Sequence, residues 1–534
     1  MAGIGSAFVA RLGVSIPMSD GISLNADLLL PEAAEPQPCL LTMTPYTTDF
    51  AYSSAAPFAR EGFAVCIVDV RGRGGSGGSF DLNHDGADGA ECVNWIADQP
   101  WCDGKVAMFG GSYSGMNQWS VAAERPPALR AIAPLVAPLV GLDGGDAYRG
   151  IVYPYTARWT ALVQGKTLHM SLMSDEDYWR ERFIRHWEQG YGVEELAWLT
   201  GALDPIMETN LKGLADPAWV ARCSPTPAQY AAIDIPVLSG TGTAENAQRG
   251  ALEYRRRHLA ARPDAQHWLI IGPTTHAGTR DPAPSDRAAQ TVARDEVAKK
   301  EEETVLGFYN WALRGAPLPA FLDSPAKIYL AEAEVWCALP SSHRHTALAL
   351  SNGSLRTTPP QSFDVTRLQG PPPPQPPDDM ASLFVVLSGE NGLEGWHLTD
   401  HTGAQRTFVS EPLDQPMDFV GPAYGELDLV CSHAGLDVAV IVYAVLPGGQ
   451  TRILTTDMAR IEGRGARPLV LDGFRLAAVR LSAGTRLALQ VRILNTPDFQ
   501  RSASAIAAKG AEEIILSEAQ SVLYLPLYPV GELA

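Results

Sequence analysis

Three residues of this 534-residue chain carry types and an order suited to acyl-transfer chemistry: Ser112, Glu245 and His276. Ser112 lies in Gly110-Gly111-Ser112-Tyr113-Ser114-Gly115, between an apolar run and the helix-compatible stretch Met116–Glu124. A strand that ends in a sharp turn can push a serine hydroxyl clear of the backbone. Glycines are needed beside it where side chains would clash. Such a hydroxyl attacks an acyl carbon only if a base takes its proton. That base needs a carboxylate to fix the imidazole tautomer. Glu245 and His276 supply these types in the order serine, acid, histidine, each just past a separate apolar run. Read alone, the serine is also compatible with an ordinary turn, and glycine at 115 departs from the strict G-x-S-x-G spacing. The three together are much harder to obtain by chance. Asp234 is a second carboxylate nearby, but it precedes the run at 235–242 and should lie at the other end of the sheet.

The elements that must position these residues follow from hydrophobic patterning. Short, nearly continuous apolar runs occur at Cys39–Thr44, Phe63–Val70, Lys105–Phe109, Ala131–Val136, Ile235–Gly242 and His267–Pro273. Helix-compatible segments separate them, the pattern of a mostly parallel, doubly wound sheet covered on both faces. Residues 7–31 alternate about Asp20-Gly21 and predict a hairpin. The Gly72–Gly78 stretch lacks the lysine and register of a phosphate-binding loop and reads as a turn-rich loop after a strand.

Residues 143–230 read as an inserted helical cap, crowded with aromatics and without strand-like runs. Tyr153, Tyr155 and Trp159 are its candidate pocket residues, with a packing role equally open to each. His169 and His186 read as surface or packing histidines. A long amphipathic helix over about 285–314 closes the α/β part, and Arg255–Arg257 form a solvated helix face. After about 323 short alternating strands dominate, among them Phe384–Leu387, Leu427–Val430 and Val438–Tyr443, and predict a β-sandwich or jelly roll. Pro371–Pro377 reads as a stiff connection within it. The expected organisation is 1–142 and 231–322 for the α/β domain, 143–230 for the cap and 323–534 for the β domain.

A formal net charge of −19 offers no counterion-releasing basic face, so nucleic acid is not an expected partner. The seven cysteines are scattered and form no C-x-x-C pair; disulfides, metals and cofactors are not expected. No apolar run approaches a membrane span and residues 1–17 show no signal-peptide pattern, so a cytoplasmic protein without a membrane partner is expected. Homo-oligomerisation is left open.

At this point the chain resembles the CocE/NonD hydrolases, a family that includes cocaine esterase-like enzymes, α-amino acid ester hydrolases and X-Pro dipeptidyl peptidases. The resemblance is carried by Thr44-Pro45-Tyr46, by Asp69-Val70-Arg71-Gly72-Arg73-Gly74 through Ser76-Gly77-Gly78, by Gly110–Gly115 as G-x-S-Y-x-G, and by Gly272-Pro273-Thr274-Thr275-His276. Ser410–Leu413 and Gly484–Leu487 are similar to landmarks of the family's C-terminal domain. It implies an α/β-hydrolase fold with a helical cap and a C-terminal jelly roll, His276 as base, and the Tyr46 hydroxyl in the oxyanion hole. The Tyr113 backbone N–H, directly after the serine, would be the second donor. The family's acid is usually an aspartate after a tryptophan, but here the stretch reads Thr241-Gly242-Thr243-Ala244-Glu245. Thr243 and Thr274 stand where the family has tryptophans, which implies a roomier, more polar pocket. The expected activity is cleavage of a small-molecule ester or amide through an acyl-enzyme. An X-Pro aminopeptidase, whose relatives tend to carry an additional N-terminal domain, and a non-hydrolytic acyltransferase are the alternatives.

Overall fold

The computed structural model describes residues 7–143, 147–148, 151–152, 155–191, 213, 216–243, 245, 247–274, 276, 288–341, 344–357, 365–369, 405–431, 436–461, 465–493 and 513–533. The strands Phe384–Leu387 and the Pro371–Pro377 connection expected from sequence lie outside these residues. The chain divides into two compact units, one of 1–145, 156–175 and 200–326 and the other of 146–155, 176–199 and 327–534.

The first unit is built on β1 (Phe8–Pro17), β2 (Ser23–Pro31), β3 (Gln37–Thr44), β4 (Ala64–Asp69), β5 (Cys102–Gly111) and β6 (Leu129–Leu135), and on the later strands Val237–Gly242 and His267–Gly272. Their order across the sheet is β1, β2, β4, β3, β5, β6, then the two later strands in turn. β1 and β2 form the expected antiparallel hairpin, and β2 joins β4 antiparallel. From β4 onward every pairing in this series is parallel. Strands buried along nearly their whole length, such as Ala64–Asp69, explain the continuous apolar runs. Parallel strands separated by crossovers bring their carboxyl ends to one edge, where doubly wound proteins place their sites. The loops carrying Tyr46, Ser112, Glu245 and His276 all leave that edge.

The helices behind this arrangement are α1 (Thr48–Arg60), α2 (Asp85–Ala97) and α3 (Tyr113–Glu124), with Gln248–Ala261 and the 27-residue Ala288–Arg314 later in the chain. Between 143 and 230 the described helices are Tyr155–Leu162, Met170–Met173, Glu176–Glu188, Pro217–Arg222 and Pro227–Ala232. One difference from the sequence reading is a two-residue antiparallel ladder, Ala147–Tyr148 with Ile151–Val152, too short to show as a strand pattern. Among the described residues no helix is long and apolar enough to cross a membrane.

One buried cluster in this unit consists of groups that sequence patterning treats as ordinary. His258 Nε2 lies 3.1 Å from the Ile233 carbonyl, which only accepts, so that nitrogen carries hydrogen. His258 Nδ1 then accepts from His267 Nδ1 at 3.1 Å, and His267 Nε2 accepts from the Ser239 hydroxyl at 2.9 Å. Each ring nitrogen of His258 and His267 is satisfied with both rings neutral. Trp119 packs against both imidazoles and stacks on Tyr254. Burial lowers the pKa of His258, and burial together with the neighbouring His258 lowers that of His267 well below its ordinary value. The unfolded chain therefore binds protons that the folded chain refuses, and stability rises with pH in that window. Stability should be complete above the ordinary histidine value of 6.5 and fall progressively below it. Thermal unfolding midpoints measured against pH should decline more steeply for wild type than for His258→Gln; equal slopes would disprove the assignment.

The second unit carries the expected β-rich organisation. A sheet of ten strands is antiparallel except for the short pairing of Ser354-Leu355 with Val409-Ser410. A second sheet sets Met417–Gly421 between Ala477–Leu481 and Leu527–Pro529. Inward residues of both sheets, including Phe408, Phe419, Val440, Leu489 and Leu516, form one continuous apolar core. Two buried carboxylates of this unit are paired with arginine: Asp418 takes two bonds from Arg480, and Asp437 two from Arg460.

Candidate active site

Ser112 leaves β5 with φ 59° and ψ −127°, a positive-φ conformation outside the left-handed helical well that a non-glycine residue adopts at a cost of about 1–3 kcal/mol. The residues around it show why the turn takes this form. Gly110 has φ 134°, and a Cβ there would lie 2.6 Å from the Ser114 side chain. A Cβ on Gly115 would lie 2.6 Å from the Leu135 carbonyl of the adjacent strand. The glycine one place later than the usual spacing is thus required where α3 crosses β6. Ser114 is free to be a serine because its hydroxyl donates to the Met43 carbonyl at 2.7 Å, tying the turn to β3.

His276 Nε2 lies 3.0 Å from Ser112 Oγ, and its Nδ1 lies 2.6 Å from Glu245 Oε1. A carboxylate only accepts, so Nδ1–H donates to Glu245 and the Nε2 lone pair faces the serine hydroxyl. Glu245 is fully buried, while the His276 side chain keeps 31% of its surface exposed. The Ala247 amide donates to the same Glu245 Oε1 at 2.7 Å and fixes the carboxylate from behind. Asp234 is exposed at the opposite end of its strand. Thus the structure brings Glu245, not Asp234, to His276.

Tyr46 follows β3, the neighbour of β5, and is nearly buried. Its loop is pinned from several sides. The Thr48 amide donates to Asp69 Oδ1 at 2.9 Å, and Asp69 also accepts from Asn25 and from the Gly75 amide. Gly74 must be glycine here, since a Cβ would lie 1.9 Å from Asp69 Oδ2. Arg73, fully buried, donates from Nε to the Pro45 carbonyl at 2.8 Å and from its two terminal nitrogens to the carbonyls of Gly165 and Thr167. Burial pulls its pKa down to about 10. The turn-rich loop after β4 is therefore a clamp on the Tyr46 segment, and nothing in its glycine pattern announced this. Thr47, just after Tyr46, has φ 73°, a strained value for a β-branched residue.

The Tyr46 hydroxyl accepts a hydrogen bond from Trp159 Nε1 at 3.0 Å. Trp159 also stacks on the Tyr113 ring, with centroids 6.1 Å apart and planes 18° from parallel. As the first residue of α3, Tyr113 has no carbonyl one turn back for its N–H to reach. Among the other pocket candidates, Tyr153 lies outside the described residues, and for Tyr155 only its place at a helix start is described. Thr243 and Thr274 sit together at the ends of the last two strands. The Thr243 amide donates to the Gly272 carbonyl at 2.8 Å, and Thr274 packs so closely on Gly242 that a Cβ there would lie 2.0 Å from its carbonyl.

Sequence reasoning passed over Asp143. It accepts from the Leu139 amide at 2.9 Å and the Gly250 amide at 2.6 Å, stapling the turn after β6 to the helix that follows Glu245. Burial raises its pKa to about 7. Its setting, Gly141-Leu142-Asp143-Gly144-Gly145, reads only as a turn. Among the described residues no group of three or more His, Cys, Asp or Glu is placed to hold a metal ion.

Residues 20–278 match the model of the X-Pro dipeptidyl-peptidase (S15) family. The chain is 25% identical over 553 aligned positions to a cocaine esterase of Rhodococcus sp. (strain MB1 Bresler), covering 94% of each chain. Among solved structures it superposes on an α-amino acid ester hydrolase with a TM-score of 0.78 at 20% identity, over 99% of this chain and 98% of that one. It also superposes on an aminopeptidase from a marine-sediment Thaumarchaeota archaeon with a TM-score of 0.77 at 18% identity, over 98% of this chain and 97% of that one.

Proposed function

We propose that this chain is a serine hydrolase of the S15 and CocE/NonD group and that it cleaves an ester or amide bond of a small molecule through a covalent acyl-enzyme at Ser112. The observation that carries the reading is the continuous line from Ser112 Oγ through His276 to the buried Glu245 carboxylate. Ser112 Oγ attacks the carbonyl carbon as its proton passes to His276 Nε2. The carbonyl oxygen becomes an anion between the Tyr46 hydroxyl and the Tyr113 amide. Glu245 stabilises the imidazolium and holds its orientation. His276 then protonates the departing alkoxide or amine, which leaves as alcohol or amine. A water molecule, deprotonated by the same nitrogen, attacks the acyl-enzyme and frees the acid and Ser112.

A small-molecule ester or amide is preferred over a peptide because the long alignment runs to a cocaine esterase. The discriminating experiment is a panel of p-nitrophenyl esters, amino-acid amides and X-Pro chromogenic substrates. Turnover of the esters well above the X-Pro substrates supports this reading. Preference for X-Pro substrates would replace it with the aminopeptidase, and ester product appearing with an added alcohol at the expense of free acid would replace it with acyl transfer.

A further inference from the structure

We propose that Trp159 is a positioning residue for the oxyanion hydroxyl, fixing the direction in which Tyr46 donates and strengthening that donation. The proposal rests on the role given to Tyr46 above, and its own ground is the hydrogen-bond inventory of the two side chains.

An indole N–H donates and cannot accept, so the 3.0 Å contact between Trp159 Nε1 and Tyr46 Oη has one direction. The phenolic oxygen is thereby the acceptor, and its own hydrogen has no acceptor among the described residues. A phenol hydrogen lies near the ring plane, on one side of the oxygen or the other. With the indole hydrogen occupying one side, the remaining in-plane direction is left for donation. An oxygen that accepts one hydrogen bond also becomes a better donor in a second, since bonds in a chain polarise each other.

The indole is itself held in place. It stacks on the Tyr113 ring, and Phe80 flanks both rings, with centroids 5.8 Å from Tyr113 and 6.3 Å from Trp159. Tyr113 directly follows Ser112 and offers its own N–H as the second oxyanion donor. One side chain thus touches both residues that would bind the developing negative charge. Trp159 acts through Tyr46 and needs no contact with the reacting atoms.

The test is a double-mutant cycle on a p-nitrophenyl ester with wild type, Tyr46→Phe, Trp159→Phe and the double variant. Tyr46→Phe should lower kcat by about 10²–10³-fold, the effect of removing one oxyanion donor. Trp159→Phe should lower kcat by about 10-fold with KM nearly unchanged, the signature of an interaction made in the transition state. In the Tyr46→Phe background the same substitution should cost less than about 2-fold, because coupled residues are not additive. Benzothienylalanine at position 159, which keeps the ring shape and lacks the N–H, should reproduce the loss seen with Trp159→Phe. An equal cost in both backgrounds, or wild-type kcat with benzothienylalanine, would reduce Trp159 to packing and overturn this proposal alone. An unchanged kcat in Tyr46→Phe would overturn the oxyanion assignment and this proposal together, leaving the roles of Ser112 and His276 to be judged by other variants.

Discussion

Ser112→Ala should remove turnover of an activated ester almost entirely, with kcat falling by roughly five to six orders of magnitude, as when the nucleophile of a comparable triad is deleted. It should also end labelling by a fluorophosphonate probe, which reacts at the nucleophilic oxygen. The fold should be untouched, since alanine meets the same steric cost at φ 59° that serine already bears. Ser112→Gly offers a sharper companion. It should be as inactive as the alanine variant, yet withstand denaturant better by about 1 kcal/mol because glycine takes a positive-φ turn freely. Probe labelling that survives in either variant would place the nucleophile elsewhere. Equal denaturation midpoints for the two would mean that the turn is not strained.

Glu245→Gln should be the next most damaging change, lowering kcat by about 10⁴-fold as an amide does when it replaces the acid of such a triad. The reason is local. Glu245 Oε1 accepts from both His276 Nδ1 and the Ala247 amide. In glutamine the amide oxygen at that position can still accept both bonds, but it carries no charge to stabilise the imidazolium that forms as Ser112 loses its proton. The NH₂ takes the place of Oε2, a buried atom with no hydrogen-bond partner among the described residues, and is left unsatisfied. Glu245→Asp keeps the charge and loses reach; a misplacement of about 1 Å costs around 10²-fold. Asp234→Asn should stay near wild type. The check is kcat/KM for a p-nitrophenyl ester across the four proteins. Strong loss with Asp234→Asn and little with Glu245→Gln would reverse the assignment of the acid.

Much of this was readable in one dimension because strand ends are. Fully buried parallel strands demand continuous apolar runs, so each run marks its own carboxyl end, and Ser112, Glu245 and His276 could be ordered along one sheet edge. The late glycine was readable as a family variant, and its cause needed coordinates: the Leu135 carbonyl beneath Gly115. What stayed hidden depends on contacts between distant segments. Arg73 lies in a stretch whose glycines speak only of turns, yet its guanidinium reaches carbonyls more than ninety residues on. Asp143 looks like one more turn residue until its partner at Gly250 is known. Trp159 could be placed in the cap as an aromatic, but no periodicity shows that its N–H meets Tyr46. Side-chain to backbone bonds across the fold leave no spacing in the sequence. The C-terminal alternation predicted β-structure, and the division of its strands between a ten-stranded and a three-stranded sheet required pairings.

The Arg73 clamp has a consequence for how the enzyme would age or respond to stress. The serine, histidine and glutamate hang from strand ends of the sheet, whereas the Tyr46 segment is moored by a guanidinium that grips the Gly165–Thr167 stretch as well. The grip on Gly165 and Thr167 involves none of Ser112, Glu245 and His276. Mild denaturant or a rise in temperature that loosens 165–167 would slacken the oxyanion side first, leaving a serine that still reacts with a covalent inhibitor on an enzyme that hardly turns over. Active-site titration would then overcount working molecules, and the gap between titre and turnover would measure how much of the population has slipped that one mooring.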